Sequence, residues 1–265
     1  MSKTIGFIGT GNMGGAIAKA VAKCRVEVLL SDFFVEKAST LASEIGGKSV
    51  TNSDIAKEAD IIFLGVKPQV LKSTIDEIKE ETKKRKDIVF VSMAAGIKTE
   101  NIVQMFGYDI KLIRIMPNTP VGVGKGMVLY TCLPSISDDE KALFIEIMKY
   151  AGEIDEIPEK LIDGGSAVSG CGPAFVYMFI EAMADGGVAA GLPRDKAIKY
   201  ATETLIGSAE LLKASGKHPE ELKDAVCSPA GSTIEGVKAL ENGGMRACVI
   251  NAVTEAFKRT KELGK

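Results

Sequence analysis

A glycine-rich segment near the start of the chain constrains the fold more than any other feature. Gly9, Gly11 and Gly14 form the pattern G-x-G-x-x-G between a strand predicted at Lys3–Gly9 and an alanine-rich helix predicted at Asn12–Lys23. In this context Gly9 permits a tight turn, Gly11 lets the backbone approach a pyrophosphate, and Gly14 lets helix and strand pack closely. The helix N-terminus offers free N–H groups to the anion. The predicted dinucleotide-binding residues are Gly9, Thr10, Gly11, Asn12, Met13 and Gly14.

The rest of the first 157 residues alternates short β-rich runs with helical stretches. Further strands are predicted at Val26–Ser31, Asp60–Val66, Ile88–Met93, Lys111–Ile115 and Met127–Thr131, and helices at Val35–Ile45 and Ser137–Tyr150 with Ser137 as N-cap. Continuous apolar runs are typical of strands that are covered on both faces. The alternation predicts a doubly wound, mostly parallel sheet, which is a Rossmann-type α/β domain.

Beyond residue 157 the β-pattern stops and only helical patterns follow. Helices are predicted at Leu161–Val168, Ala174–Ala190, Pro193–Ala214, Pro219–Val226, Thr233–Leu240 and Met245–Leu263. Residues 1–157 therefore form the predicted dinucleotide-binding domain and residues 158–265 a predicted all-α domain. The Ala174–Ala190 helix is apolar on nearly every face and must be buried all round. It is either a central core helix or, as we expect, a helix enclosed by a second subunit, which predicts a homodimer at least.

Composition excludes several classes of protein. The 33 basic and 35 acidic residues nearly cancel, so no basic excess points to nucleic acid. No uninterrupted apolar run approaches the roughly 20 residues of a membrane helix. The first residues do not resemble a signal peptide, and the five scattered cysteines are typical of reduced thiols. We expect a soluble, cytoplasmic protein without a metal site.

An acidic residue stands at the end of the second predicted strand. Asp32 lies eighteen positions after Gly14, near the spacing of a carboxylate that binds the ribose 2′-hydroxyl of a dinucleotide. That placement favours NADH, because a carboxylate repels the 2′-phosphate of NADPH. An alternative is that Asp32 caps the helix that follows. The choice between NADH and NADPH therefore stays open.

Three later strands end on small, polar or proline-fixed residues. These ends are Val66-Lys67-Pro68-Gln69, Met93-Ala94-Ala95-Gly96 and Met116-Pro117-Asn118-Thr119-Pro120. Ligands of such folds bind at the carboxyl ends of the strands, so the three ends mark one continuous cleft.

Any catalysed reaction has to proceed without a histidine as general acid, because the only histidine, His218, lies in a loop beside a proline. A Ser-His-Asp triad is therefore excluded. The segment Ser228–Glu235 carries small residues into the start of a helix. Ser232 and Glu235 have the spacing of a capping box, which gives the segment a purely structural interpretation. Alternatively, the same helix N-terminus offers N–H groups to a substrate carboxylate, with the Thr233 hydroxyl nearby.

These segments resemble the pyrroline-5-carboxylate reductase family nearly from end to end. The resemblance rests on Phe7–Met13, Val66–Pro68, Ala94–Gly96, Met116–Pro120, Ser169–Ala174, Glu181–Gly187, Leu222–Asp224 and Ser228–Thr233. It implies hydride transfer from NADPH or NADH to the C=N carbon of a cyclic imine, giving L-proline. It also implies that the helical domain serves dimerisation and substrate binding, with larger rings built from dimers.

The resemblance implies roles for individual residues. Thr233 corresponds to the family's signature threonine, which would hydrogen-bond the ring nitrogen. The implied substrate-binding residues are Ser228, Gly231, Ser232, Thr233 and Glu159. The implied cofactor residues are Asn52, Val66, Lys67, Pro68 and Ala95, besides Asp32 and the glycine segment.

The sequence departs from the family pattern at a few positions. Asp32 replaces a serine-rich segment of many NADPH-using members, Ala230 stands where glycine is common, and Ala225 or Val226 replaces a polar residue. Two alternatives are a β-hydroxyacid dehydrogenase and a dinucleotide-binding redox sensor without enzyme activity. The first would need a catalytic lysine within Leu161–Ala174, which has none; the second leaves Ser228–Thr233 without a purpose beyond helix capping.

Overall fold

The computed structural model describes residues 3–263 and divides into two compact units. The first unit runs to Cys171 and includes the end of the last helix from Ala256, and the second is Gly172–Glu255. The strands are β1 (Thr4–Ile8), β2 (Glu27–Ser31), β3 (Lys48–Ser49), β4 (Ile61–Leu64), β5 (Val89–Ser92), β6 (Lys111–Met116), β7 (Gly126–Cys132) and β8 (Gly152–Glu156).

Helices connect these strands and make up the second unit. They are α1 (Asn12–Ala22), α2 (Val35–Ile45), α3 (Asn52–Glu58), α4 (Pro68–Thr82), α5 (Thr99–Phe106), α6 (Asp138–Met148), α7 (Glu159–Ser169), α8 (Gly172–Ala189), α9 (Arg194–Ser215), α10 (Pro219–Val226), α11 (Ser232–Asn242) and α12 (Met245–Leu263). A short 3-10 helix covers Thr119–Val123. Ser137 caps α6 as predicted, within a capping box completed by Glu140.

The eight strands form one sheet in the order β3-β2-β1-β4-β5-β6-β7-β8. All neighbouring pairs are parallel except β6 and β7. The strand order reverses between β1 and β4, and ligands of doubly wound sheets bind in the crevice at such a point. The predicted Rossmann-type domain is thereby confirmed, and its crevice lies beside the glycine segment.

Apolar strands explain why the sheet is buried on both faces. Phe7 and Phe63 stack at 4.5 Å on one face, while Leu29, Ile62 and Phe90 belong to the cluster on the other face. β3 and β8 lack this apolar signal, and for that reason the sequence did not predict them. β3 has two exposed residues, and β8 carries three acidic residues at the edge of the sheet, where charge discourages pairing with other strands.

The compact units divide later in the chain than the predicted domain boundary at residue 157. β-structure does end at Glu156, but α7 belongs to the first unit. Ile162 is fully buried in a cluster with Met116 and Leu129, so α7 packs on the sheet. Gly165 permits this contact, because a side chain there would overlap Leu129.

The helical unit exposes much apolar surface. Its small core contains Ala184, Ala197 and Ala201, and Gly187 lets α8 and α9 approach closely. Tyr177 and Met178 on α8 are 61% and 70% exposed. The stretch Glu159–Ala189 is long and apolar enough to cross a membrane, judged by length and composition only. The single chain therefore does not enclose α8, and the prediction that a second subunit does so is consistent with these exposed side chains.

Candidate active site

The glycine turn after β1 has the geometry that its spacing predicts. Gly9 has φ +96°, a conformation that favours glycine, and its N–H donates to the Ser31 carbonyl at 2.8 Å. A Cβ at Gly14 would overlap the carbonyl oxygen of Gly9, and so would one at Gly65. Gly65, at the end of β4, is a third member of this close contact that the sequence analysis did not single out.

Gly11 differs from its neighbours because a Cβ there would meet no atom of the described residues within 4 Å. It is the N-cap of α1, and no side chain caps that helix. The first N–H groups of α1 lack helical partners. The turn thus combines open space over Gly11 with free donors, and both features suit a pyrophosphate.

Asp32 fixes the glycine turn. Its Oδ2 accepts hydrogen bonds from the Thr10 N–H at 2.7 Å and the Thr10 hydroxyl at 3.0 Å, and its Oδ1 accepts from the Phe34 N–H at 3.0 Å. The alternative interpretation of Asp32 as a helix cap is wrong, since the N-cap of α2 is Phe34 and no side chain caps it. Asp32 instead ties the end of β2 to the loop after β1.

A cavity of about 710 Å³ lies beside Asp32. It is lined by Ser31, Asp32, Val35, Ala38, Ser49, Val50, Thr51, Asn52, Ser53, Asp54 and Glu77. Asn52 donates from Nδ2 to Glu77 at 2.6 Å, while its buried Oδ1 has no hydrogen-bond partner among the described residues. A buried acceptor without a donor is costly, and a ligand hydroxyl would satisfy it. Three acidic residues and no basic one are among these described lining residues.

The other predicted cofactor residues lie at the same edge of the sheet. Val66 follows β4, Lys67 is the exposed N-cap of α4, and Pro68 is the first residue of that helix. Ala95 is exposed in the loop between β5 and α5. The carboxyl ends of the parallel strands β1, β2, β4 and β5 thus bring these predicted positions to one edge of the sheet.

A buried arginine in β6 was missed by the sequence analysis. The Arg114 side chain is 2% exposed, and it contacts Glu159 at 3.0 Å and Asp163 at 3.4 Å. Glu159 also accepts from the N–H and the hydroxyl of Thr99, at 2.7 and 2.8 Å, at the start of α5. A charged residue within the otherwise apolar run Leu112–Met116 was the available signal.

Glu159 is consequently engaged within the first unit. Burial raises the pKa of Glu159, but the hydrogen bonds from Thr99 and the guanidinium of Arg114 outweigh burial and hold it below its usual value. Both of its carboxylate oxygens have protein partners. Its implied role in binding substrate stays a prediction, and its contacts give it a structural role.

Asn118 is a second buried polar residue with a positioning role. Its Nδ2 donates to the Ser169 carbonyl at 2.9 Å, and its Oδ1 accepts from the Met127 N–H at 2.8 Å. One side chain therefore joins the loop after β6, the strand β7 and the end of α7. This explains why an asparagine stands in the Met116–Pro120 segment.

In the helical unit, the segment before α11 is a tight turn. The Gly231 N–H donates to the Ser228 carbonyl at 3.1 Å, and Ala230 has φ +58°, which glycine usually adopts. A Cβ at Gly231 would overlap the Ser228 hydroxyl. The amide of Gly231 is therefore used inside the turn, and the amides free at the start of α11 begin with Ser232.

The capping-box interpretation of Ser232 and Glu235 is wrong. Ser232 is the first residue of α11, its N-cap is Gly231, and no side chain caps the helix. Glu235 pairs with Lys238 instead. Thr233 is exposed in the single chain. The helix therefore presents uncapped N–H groups with a hydroxyl beside them, which is a site for a carboxylate and a second polar atom.

The reversal of strand order and the glycine turn define a dinucleotide-binding domain of the Rossmann type, the class of fold that nicotinamide-dependent oxidoreductases use. Residues 4–96 match the family model described as NADP oxidoreductase, coenzyme F420-dependent, and residues 159–263 match pyrroline-5-carboxylate reductase dimerisation. The chain belongs to the pyrroline-5-carboxylate reductase family.

Full-length relatives carry this assignment. Pyrroline-5-carboxylate reductase of Escherichia coli is 40% identical over 271 residues and covers 100% of both chains. The enzyme of Glycine max is 39% identical over 99% of this chain and 96% of its own. A crystal structure of Plasmodium falciparum pyrroline carboxylate reductase with NADP bound has a TM-score of 0.89, 32% identity and 100% coverage of both chains.

The family explains the exposed apolar surface of the helical unit. The region that matches the dimerisation family contains α8 and α9, whose apolar side chains the single chain leaves exposed. The protein is thus a homo-oligomer, as the apolar pattern of Ala174–Ala190 predicts. Neither a hydroxyacid dehydrogenase nor a redox sensor accounts for a match over the whole chain.

Proposed function

We propose that this chain reduces the C=N bond of 1-pyrroline-5-carboxylate to L-proline, the last step of proline biosynthesis. The reaction adds a hydride to the imine carbon and a proton to the ring nitrogen, and the bound nicotinamide coenzyme supplies the hydride. The observation that supports the proposal best is the uncapped N-terminus of α11 within a full-length family match. A protonated imine is already electrophilic, so the protein mainly binds and orients the reactants.

The first turn of α11 is suited to hold the substrate. The free N–H groups that begin with Ser232 and Thr233 bind the carboxylate, and the Thr233 hydroxyl accepts a hydrogen bond from the protonated ring nitrogen. Ser228 and Gly231 shape the turn that leads into the helix. This arrangement needs no histidine, and His218 instead accepts from the Glu220 N–H as the N-cap of α10.

Residues of the sheet edge are suited to hold the coenzyme. The turn Gly9–Gly14 takes the pyrophosphate, while Asp32 and Asn52 face the ribose of the adenosine. Val66, Lys67, Pro68 and Ala95 continue this line along the ends of β4 and β5. Open space above Gly11 and the unpaired Asn52 oxygen both fit such a ligand.

Gly11→Ala should weaken dinucleotide binding without harming the fold. An alanine methyl at this position meets no protein atom within 4 Å, but it occupies the space through which the pyrophosphate approaches. We expect the Kd of NADH and NADPH to rise about tenfold, or about 1.4 kcal/mol. The Kd is measured by titrating the protein with each coenzyme and following the fluorescence of the bound coenzyme. Gly164→Ala, at an equally open position in α7, is the matched control and should bind normally; equal affinity of both variants would contradict the proposed position of the pyrophosphate.

We infer a preference for NADH over NADPH. Asp32, Asp54 and Glu77 all line the cavity at the adenosine ribose, and a 2′-phosphate there would meet negative charge without a cation among the described lining residues. A 2′-hydroxyl would instead donate to a carboxylate.

Asp32→Ser should therefore shift the preference toward NADPH. Removing one negative charge at the 2′-position should raise the ratio of kcat/KM for NADPH to that for NADH about tenfold, or about 1.4 kcal/mol. Because Asp32 also holds Thr10, both coenzymes should bind somewhat more weakly. Asp32→Asn keeps the shape of the side chain and should shift the ratio in the same direction. An unchanged ratio in both variants would mean that Asp32 only fixes the glycine turn.

We also propose an oligomeric state and a cellular compartment for the enzyme. The apolar faces of α8 and α9 make a homodimer the smallest unit, and larger rings of such dimers are compatible with it. We expect a cytoplasmic enzyme that binds neither nucleic acid nor membrane. Sedimentation at several protein concentrations tests the assembly.

A comparison of substrates tests the proposed reaction. Initial rates of NADH and NADPH oxidation are compared with pyrroline-5-carboxylate and with the oxo acids that hydroxyacid dehydrogenases reduce. We expect rapid oxidation with the imine alone. Oxidation with the oxo acids and none with the imine would instead support the dehydrogenase alternative.

A further inference from the structure

Two adjacent phenylalanines are exposed directly after Asp32. Phe33 is 93% exposed and Phe34 is 59% exposed. Leaving two large apolar rings in water forgoes the stabilisation of burying them, so neighbouring exposed rings commonly mark a binding surface. No residue assigned above to the substrate or the coenzyme explains this pair.

The two rings are held in a fixed position. Phe34 donates its N–H to Asp32, and Asp32 is bound in turn to Thr10 of the glycine turn. The rings of Phe33 and Phe34 meet edge to face, with centroids 5.2 Å apart and an interplanar angle of 89°. The Lys37 ammonium lies 4.9 Å from the centre of the Phe34 ring. Phe33 therefore contacts Phe34 on one side and is otherwise almost fully exposed.

The position of the pair indicates what it binds. Asp32 and Val35, on either side of the pair in the chain, both line the cavity that we assign to the adenosine ribose. The group attached to that ribose is a flat purine. Aromatic side chains stack favourably on the flat faces of nucleobases.

We propose that Phe33 is the platform on which the adenine of the coenzyme stacks, with Phe34 holding the Phe33 ring in place. This inference rests on the proposal that the coenzyme lies along this edge of the sheet. Adenine is common to NADH and NADPH, so Phe33 contributes affinity for both and Asp32 discriminates between them.

Binding measurements with coenzyme fragments test this role without any imine. The ligands are NADH, ADP-ribose, and reduced nicotinamide mononucleotide, which has no adenine. Phe33→Ala should raise the Kd of NADH and ADP-ribose about fivefold to tenfold and leave that of the mononucleotide unchanged. Phe33→Trp should restore wild-type binding. Phe33 is flanked in the chain by residues of the cavity, whereas Tyr150 follows α6, so Tyr150→Ala removes another exposed aromatic residue of the same unit and should bind like the wild type.

Several results would overturn the assignment. Unchanged Kd values of NADH and ADP-ribose in Phe33→Ala would do so, and so would an equal loss for the mononucleotide, which would indicate a distorted turn. Dissociation of the oligomer with unchanged coenzyme binding would assign Phe33 to a subunit interface instead. If the wild type binds all three ligands but reduces no imine, the proposed reaction fails while the adenine platform is retained.

Discussion

Arg114→Met is expected to destabilise the fold by about 3 kcal/mol. Removing one partner of a buried ion pair costs about 3–5 kcal/mol because the remaining charge is left buried and unpaired. The lower end applies here, since the side chains of Glu159 and Asp163 are 31% and 27% exposed. Denaturant unfolding at one fixed protein concentration measures the change, because the stability of an oligomer depends on concentration.

Two controls separate the buried charge from a general effect of losing an ion pair. Lys48→Met breaks the pair with Glu27, whose partners are 68% and 43% exposed, and should cost less than about 1 kcal/mol. Adding Glu159→Gln to Arg114→Met removes one carboxylate charge that has lost its cation and should recover part of the loss. A loss in Arg114→Met no greater than that in Lys48→Met would contradict the role of the cluster.

The effect of Arg114 should also depend on pH. The folded state holds the pKa of Glu159 below its usual value, so this carboxylate stabilises the fold above that value. The stabilisation is lost as pH falls below about 4.3, the ordinary value for glutamate, toward the lower folded pKa. The difference in stability between wild type and Arg114→Met should therefore shrink as the solution is acidified through this range.

Thr233→Val is expected to lower kcat/KM for pyrroline-5-carboxylate by about 1–3 kcal/mol, or roughly fivefold to 150-fold. The hydroxyl does not cap α11, and it is the group that we propose to contact the ring nitrogen. Valine keeps the shape of threonine, so the loss reports the hydroxyl alone. Thr233→Ala should behave similarly.

Coenzyme binding distinguishes this role from damage to the fold. The Kd of NADH should be the same in wild type, Thr233→Val and Thr233→Ala, and Thr233→Ser should retain most of the activity. Unchanged steady-state kinetics in Thr233→Val would remove Thr233 from the mechanism.

The sequence predicts the coenzyme end of this protein well because its constraints are local. The turn Gly9–Gly14 needs glycine where the backbone is left-handed, as at Gly9, or where another backbone segment lies in contact with it, as at Gly14. These requirements fix the spacing of the glycines in the sequence. Apolar runs buried on both faces likewise predict β1, β4 and β5. β8 was missed because an acidic edge strand has no such run.

Contacts that join distant segments could not be predicted in the same way. Arg114 meets Glu159, Asp163 and Thr99 only after the sheet and α7 have formed. Asp32 illustrates a second limit, because spacing alone suggested either a ribose ligand or a helix cap. Neither interpretation predicted that the Asp32 carboxylate binds Thr10. That contact forms because β1 and β2 pair in parallel.

The most direct test of the proposed reaction follows the hydride itself. The enzyme is supplied with pyrroline-5-carboxylate and with coenzyme that carries deuterium at the transferred position of the nicotinamide, and the product is analysed by mass spectrometry and NMR. We predict L-proline with one deuterium, on the carbon that formed the C=N bond, and faster turnover with NADH than with NADPH. Coenzyme that binds but is not oxidised, or proline without deuterium at that carbon, would contradict the assigned reaction.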